Sequence, residues 1–336
     1  MKVEVQQSKF SSAISRRDFI TGVAGGALAA ALPGTVAAAA NYPSKPIKIV
    51  VAWPPGSATD LSARMIADHL TKRLGTSVIV ENRSGASGIV GSENVLQSRP
   101  DGYTLLFTTS NHASNKLVFP QMSFDPRVDF EPVSRIYRGI ITIAVHPSLP
   151  VNNLQELIDY GKKNSKALSY GTPGLGTPHH LAGELFSQAA GIEMAHIPYR
   201  GGGPSVVDLI GGQIPLAFAS LAAVFPNIQQ GQVRVLALTR GDRYSELPDV
   251  PTVSEMFPGF DVSGWAATFA PKGTPRPIVS YLNREIVAVL ELPEMQKALR
   301  SGGVVPWPST PEELDGLVKA DIDKWTKVVA SGVRLR

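Results

Sequence analysis

Ile47-Lys48-Ile49-Val50-Val51-Ala52-Trp53-Pro54-Pro55-Gly56-Ser57-Ala58-Thr59-Asp60 is the stretch that decides the fold class. Ile47 to Trp53 is a short apolar run with a single charge, Lys48, and it stops at Pro54-Pro55-Gly56: a buried strand entering a tight loop. A helix follows at once, because Leu61, Met65, Ile66, Leu70 and Leu74 recur at helical spacing and Gly75 stands where a left-handed C-cap belongs. Val78 to Val80 makes the next strand, Gly88 to Gln97 a helix, and Tyr103 to Thr109 a third strand after the Pro100-Asp101-Gly102 turn. This alternation predicts a parallel sheet covered by helices.

Further out, the pattern restarts. Ile140 to Val145, Leu168 to Gly171, Glu193 to Tyr199, Ile214 to Ala219 and Val233 to Thr239 read as strands, with helices at Leu154 to Lys163 and Pro178 to Ala190. After Trp265 come a strand to Pro271, a helix from Pro277 to Leu290 and a last helix from Pro311 to Val329. The expected architecture is α/β with two lobes: residues 41–142 with 265–336 form lobe 1, and 143–264 form lobe 2.

Toward the N-terminus, Ser15-Arg16-Arg17-Asp18-Phe19-Ile20 opens an uncharged Gly/Ala-rich stretch that ends at Ala38-Ala39-Ala40. This has the form of a removable twin-arginine export signal over residues 1–40. A membrane anchor is the alternative, since Phe19 to Ala40 is long enough to span a bilayer, but its glycines, alanines and Pro33 make a poor spanning helix. Formal charge is +4; the leader holds four basic and two acidic residues, so +2 remains after its removal, which argues against nucleic acid as a partner. The chain has no cysteine, which excludes disulfides, thiolate metal sites and a cysteine nucleophile. Cleavage after Ala40 leaves a soluble exported chain that is expected to be a monomer.

Three glycine-bearing loops open helices. Pro54 to Asp60 includes Ser57-x-x-Asp60, which has the form of a capping box with aspartate in place of glutamate. Tyr170-Gly171-Thr172-Pro173-Gly174-Leu175-Gly176-Thr177-Pro178-His179-His180 offers Thr177 as N-cap and Pro178 as first helical residue. Pro198-Tyr199-Arg200-Gly201-Gly202-Gly203-Pro204 sets a cation beside three unencumbered amides, where Arg200 either binds a carboxylate or makes a surface salt bridge. Together, in both lobes, they point to an anion-binding cleft, while Asp60 taken alone also reads as a simple cap.

Other constellations are weaker. His180 and Glu184, four apart on one helix, have no third ligand at metal-site spacing. Gly85-x-x-Gly88-x-x-Gly91 reads as close helix packing rather than a phosphate cradle. Trp53 and Trp265 can wall a pocket, whereas Trp307 and Trp325 belong to core or surface packing. Asn111 and His112 follow a strand end, where a ligand-facing loop belongs, and a satisfied polar pair within that loop is the equal alternative. No His-Glu-x-x-His, Gly-x-Ser-x-Gly, Ser-x-x-Lys, Walker loop or Gly-x-Gly-x-x-Gly occurs.

In sum the chain resembles the Bug family of extracytoplasmic solute receptors, relatives of the receptor component of tripartite tricarboxylate transporters. The resemblance is carried by Tyr42-Pro43 through Val50, the Pro54 to Asp60 loop, Val80-Glu81-Asn82-Arg83 with Gly85-x-x-Gly88, and Pro100-Asp101-Gly102-Tyr103-Thr104-Leu105. It continues through Tyr170 to Leu185, Pro198 to Gln213 and Pro248-Asp249-Val250-Pro251-Thr252-Val253-Ser254-Glu255. It implies a type II periplasmic-binding-protein fold whose lobes close on a small carboxylated ligand, without catalysis and without a cofactor. Carried onto matching positions, it nominates Pro55, Gly56, Ser57, Ala58 and Asp60 in lobe 1, Thr172, Gly176, Thr177, His179 and Arg200 in lobe 2, and the loop residues Ser110 and Asn111. Many relatives have a second glycine where this chain has Ser57.

The leading expectation is therefore a periplasmic receptor that hands a carboxylate to membrane transporter subunits or a sensor. An exported α/β hydrolase and a ligand-free interaction module are the alternatives. Changing Arg16 and Arg17 together to lysine should block export; normal appearance of that variant outside the cytoplasm would exclude a twin-arginine leader.

Overall fold

The strand expected at the opening stretch is β1 (Ile47–Val51), in which Ile49, Val50 and Val51 are fully buried. The computed structural model describes residues 42–164 and 168–330, and the expected leader lies outside them. β1 lies between β2 (Val78–Asn82) and β3 (Thr104–Thr109), parallel to both. A parallel strand is covered on both faces, which is why its sequence is apolar without alternation. Two prolines then end it, and Ser57, with extended backbone, caps helix α1 (Ala58–Leu74) by accepting a hydrogen bond from Asp60 N–H at 3.2 Å. Gly75, at φ 63°, ends the helix in the left-handed conformation its position predicted.

Helix α1 buries Ala63, Ile66, Ala67 and Leu70 against the sheet. Leu61 belongs to the same helical stripe but is 54 % exposed, and with Met65 it faces the cleft described below. α2 (Ile89–Leu96) packs closely at Gly91, where a Cβ would meet the Arg83 carbonyl oxygen at 2.8 Å and Ala52 Cα at 2.9 Å. The Gly85-Gly88-Gly91 spacing is therefore a packing device.

The residues expected as a ligand-facing loop after β3 instead form helix α3 (Asn111–Val118). His112 turns away from any cleft and is fully buried among Phe124, Phe130 and Phe269, with ring centroids 4.9–5.8 Å away. β4 (Phe130–Gly139), which the sequence pattern did not reveal, carries the chain toward the second lobe. It contains Pro132, yet Pro132 falls at a register shift against β10 (Gly264–Pro271), where a missing donor is tolerated.

Lobe 2 follows directly, because β5 (Ile141–Val145) begins two residues after β4 ends. Its elements are α4 (Leu154–Lys163), β6 (Ser169–Thr172), α5 (Pro178–Ala190), β7 (Ala195–Pro198), α6 (Gly202–Ile210), β8 (Leu216–Ser220), α7 (Leu221–Gln229) and β9 (Arg234–Leu238). The chain returns through β10 and adds α8 (Arg276–Leu290), α9 (Pro293–Ser301), β11 (Val304–Pro306) and α10 (Pro311–Ala330).

The sheets have orders β11-β4-β10-β3-β1-β2 and β7-β6-β8-β5-β9. Both are mixed rather than wholly parallel. β1–β3 and β6–β8 keep the parallel pairing that the helix crossovers demand, whereas β5 runs antiparallel to β8 and β9, and β10 antiparallel to β3 and β4. The physical reason is that β4 continues into β5 across the lobe boundary without a helix to reverse the chain.

The C-terminal segment adds β10 and β11 to the six-stranded sheet, and its last helix reaches two core clusters. Leu314 and Val318 of α10 belong to the core cluster that holds Val50, Leu106 and Trp265, but Trp325, 2 % exposed, belongs to the cluster that forms the lobe 2 core and also takes in Val118. One helix thus pins both lobes. Truncating so large a buried side chain typically costs about 3–5 kcal/mol. Trp325→Ala should lower the denaturation midpoint correspondingly in a urea titration, and a loss below 1 kcal/mol would show that this anchor is dispensable.

Candidate ligand-binding site

Strand-to-helix turns of both lobes meet at a cavity of about 700 Å³. Among the described residues, five helices begin on its wall: α1 at Ala58 and Thr59, α3 at Asn111, α5 at Pro178 and His179, α6 at Gly202 and Gly203, and α7 at Ala222 and Ala223. The first N–H groups of a helix have no intrahelical acceptor, and the helix dipole places partial positive charge there. N-cap side chains consume some of these donors: Ser57 takes Asp60 N–H, and Thr177 takes His180 N–H at 3.4 Å. Ala58, Thr59, His179, Gly202 and Gly203 keep theirs. The charged side chains among the described lining residues are Arg64 and Asp68, both exposed, so the positive character of the cavity comes from backbone.

Arg64 is already paired. It donates Nε to Asp60 Oδ2 at 3.1 Å, and its terminal nitrogen lies 3.0 Å from Oδ1. Asp60, 2 % exposed, also accepts from Gly56 N–H at 2.9 Å and from Asn82 Nδ2 at 2.8 Å. Burial pushes this carboxyl up, but the bonds from Arg64, Gly56 and Asn82 outweigh it and hold its pKa below the ordinary aspartate value. The second Asn82 contact, to the Trp53 carbonyl at 3.0 Å, ties the loop to the end of β2. Asp60 therefore shapes the first loop from behind. Its departure from the expected capping box is one residue: it reaches back to Gly56 rather than to Ser57.

Of the residues nominated from the sequence, Gly56, Ser57, Ala58, Ser110, Asn111, Thr177 and His179 stand together on the cavity wall. The others do not. Pro55 is exposed outside it; Thr172, fully buried, bonds His196 Nε2 at 2.7 Å; Gly176 donates its N–H to His180 Nδ1 at 3.2 Å. Arg200 is exposed, off the wall, and makes no described hydrogen bond or ion pair. Tyr137 and Ser220 line the cavity without having been foreseen, because β4 and the start of α7 were not read from the sequence. The signal for Ser220 was present: a serine directly after an apolar strand and before an apolar run.

Trp53 and Trp265 do wall the cavity, with Leu61, Met65, Ile140, Val206 and Leu299. Trp53 donates Nε1 to Thr109 Oγ1 at 3.1 Å, and Trp265 N–H donates to Ser110 Oγ at 3.3 Å. His179 pairs through Nε2 with Ser220 Oγ at 2.9 Å, and burial lowers its pKa to about 4, so it is neutral at pH 7. His180 and Glu184 are no metal pair. His180 Nδ1 accepts from Gly176, its ring stacks on His196 at 3.8 Å, and Tyr170 donates to Glu184 at 2.6 Å. Among the described residues no three candidate metal ligands cluster.

A cleft between two α/β lobes, lined by helix N-termini and apolar walls, defines a solute-binding protein of the periplasmic type. The chain belongs to the tripartite tricarboxylate transporter receptor family, whose model matches residues 62–332. It is similar to protein BugT of Bordetella pertussis, 35 % identical over 88 % of this chain and 92 % of BugT. Two solved structures superimpose closely. An R. palustris protein with adipate is 36 % identical, covers 86 % of this chain and 97 % of its own, and gives a TM-score of 0.83. The periplasmic binding protein BugD is 33 % identical, covers 87 % and 99 %, and gives 0.81.

The buried histidines set the acid response. Burial lowers His112 to about 3, His180 to about 4 and His196 to about 3. Each folded pKa lies below that of the unfolded chain, near 6.5, so the unfolded state binds protons more readily and stability falls as pH drops below about 6.5. For fully buried His112 the loss at pH 5 is about 2 kcal/mol. His112→Leu should flatten the fall between pH 6.5 and 5 by that order; an unchanged slope in pH-dependent urea titrations would refute this origin.

Proposed function

We propose that the chain is a periplasmic receptor that holds a small carboxylate between its lobes and passes it to tripartite transporter subunits or to a sensor. The observation that carries this reading is the set of first-turn N–H groups at Ala58, Thr59, His179, Gly202 and Gly203 with no acceptor among the described residues, around a cavity whose one cation among the described wall residues is already bound by Asp60. Such donors suit an anion with several acceptor oxygens. The adipate held by the R. palustris relative supports the same chemistry. Seven of the residues nominated from the sequence then contact ligand, joined by Thr59, Gly202, Gly203 and Ser220. Pro55, Thr172 and Gly176 shape the loops, and Asp60 acts through Gly56.

The proposal includes the lobe limits set out above, 41–142 with 265–336 and 143–264, a removable leader over residues 1–40, and a monomer. Nucleic acid is no partner, and the receptor turns over no substrate.

Thermal unfolding of the chain from Asn41 onward, against a panel of small carboxylates that includes adipate, tests the reading. A ligand at a hundred times its Kd adds about 2.7 kcal/mol. The acid should stabilise and be recovered unchanged, while its neutral amide should not stabilise. Ala58→Pro sharpens the test: proline is at home in the first helical position, Ser57 already has the extended backbone that precedes proline, and the substitution deletes one donor. A hydrogen bond to a charged group is worth about 1.5–3 kcal/mol, so affinity should fall roughly ten- to a hundredfold at unchanged melting temperature. Equal stabilisation by acid and amide would refute the carboxylate reading.

A further inference from the structure

Beside the cavity, two serines of lobe 1 grip backbone carbonyls of lobe 2. Ser87 Oγ donates to the Leu175 carbonyl at 3.2 Å, and Ser114 Oγ donates to the Gly176 carbonyl at 2.7 Å. Neither serine lines the cavity. The fit there is close, since a Cβ on Gly176 would lie 2.5 Å from Val118 Cγ2. The residues gripped sit directly before Thr177, the cap of α5, so their position fixes where His179 stands in the wall.

The turn that presents Ser87 is held in an unfavourable conformation. Ala86 and Ser87 lie at φ 45° and 54°, the left-handed region that side chains other than glycine rarely adopt. Such a turn persists when its surroundings over-determine it, and here the side-chain amides of Asn111 and Asn115 both donate to the Ser87 carbonyl, Asn115 at 3.1 Å. Asn111 is also a wall residue, and its Oδ1 accepts from Thr109 Oγ1, which accepts from Trp53 Nε1. An unbroken series of hydrogen-bonded groups therefore runs from the cavity wall at Trp53 through Thr109, Asn111 and Ser87 to lobe 2.

We propose that Ser87 and Ser114 are positioning residues that form a two-point clasp, which sets the closed relation of the lobes and thereby the affinity for a ligand they do not touch. The proposal depends on the placement of the lobes and not on the identity of the ligand.

Two glycine substitutions separate the hydroxyl from the backbone. Ser87→Gly relaxes the left-handed turn and removes the hydroxyl; Ala86→Gly relaxes the same turn and keeps it. Ser114→Ala removes the second grip. Because the chain has no cysteine, Lys72→Cys on α1 and Gln188→Cys on α5, both exposed, place one spin label on each lobe. Pulsed electron spin resonance of the ligand-free protein should give the parent distance distribution for Ala86→Gly, and a shifted, broader one for Ser87→Gly and Ser114→Ala. Unchanged distributions in both serine variants overturn the clasp, as does an equal shift in Ala86→Gly. With adipate as probe, the serine variants should bind about five- to twentyfold more weakly, through faster dissociation. If the parent chain fails to bind adipate, that outcome bears on the choice of ligand, and the distance measurement still decides the clasp.

Discussion

The interaction on which this structure depends is the one its backbone leaves unmade. A parallel strand–helix unit places the helix N-terminus at the carboxyl end of the strand before it, and five such N-termini reach one cavity wall. The first-turn N–H groups of α1, α3, α5, α6 and α7 thus share one cavity. Those of Ala58, Thr59, His179, Gly202 and Gly203 face the cleft without an acceptor among the described residues, so the cavity favours whatever brings acceptors. Oriented amides carry no titrating proton and need no rotamer fixed on binding, unlike an arginine or lysine. The cation that could have done this work, Arg64, is instead spent on Asp60.

Most polar side chains on the wall hold loops in place. Thr109 joins Trp53 to Asn111, Ser110 joins the start of α3 to Trp265, and Thr59 meets Tyr137 at 3.3 Å. Each bond crosses between separate elements, which converts loop geometry into wall geometry. This explains how turns with little core of their own present their amides at fixed positions. Asn82 illustrates the economy: from the last residue of β2 it bonds both the Trp53 carbonyl and Asp60, so one side chain sets the entry and the exit of the first loop.

The three glycine loops were legible because glycine, proline and hydroxyl caps are local signals with a geometric meaning. α3 and α7 were not: their N-termini, Ser110 and Ser220, follow strands without any glycine, and the cap side chains bond elsewhere rather than to the helix. β4 was hidden by Pro132 and by Glu131, Arg135 and Arg138, which interrupt its apolar pattern; Pro132 and Arg135 stand at its register shifts. The stripe of α1 shows the limit of periodicity. Leu61 and Met65 have core spacing yet face the cleft, because an apolar ligand wall and a core demand the same residue types. Asp60 shows a related limit: spacing identified it as a polar group at the right turn, while only the folded neighbours Arg64, Gly56 and Asn82 fix which way its carboxylate is spent.

In the proposed function, closure follows from how these donors are divided. Ala58 and Thr59 belong to lobe 1, His179, Gly202 and Gly203 to lobe 2, and a ligand shifts a conformational equilibrium only by its difference in affinity for the two states. A molecule touching one set alone would bind without closing the cleft. In the proposed function, one that reaches both gains its second set of bonds only when the lobes approach, and that gain adds to the grip of Ser87 and Ser114 in favouring closure. α10 limits how far the lobes can part, since Leu314 is buried in one core and Trp325 in the other. A single helix rooted in both cores opposes full separation of the lobes, and in the proposed function this keeps amides on opposite walls within reach of one carboxylate.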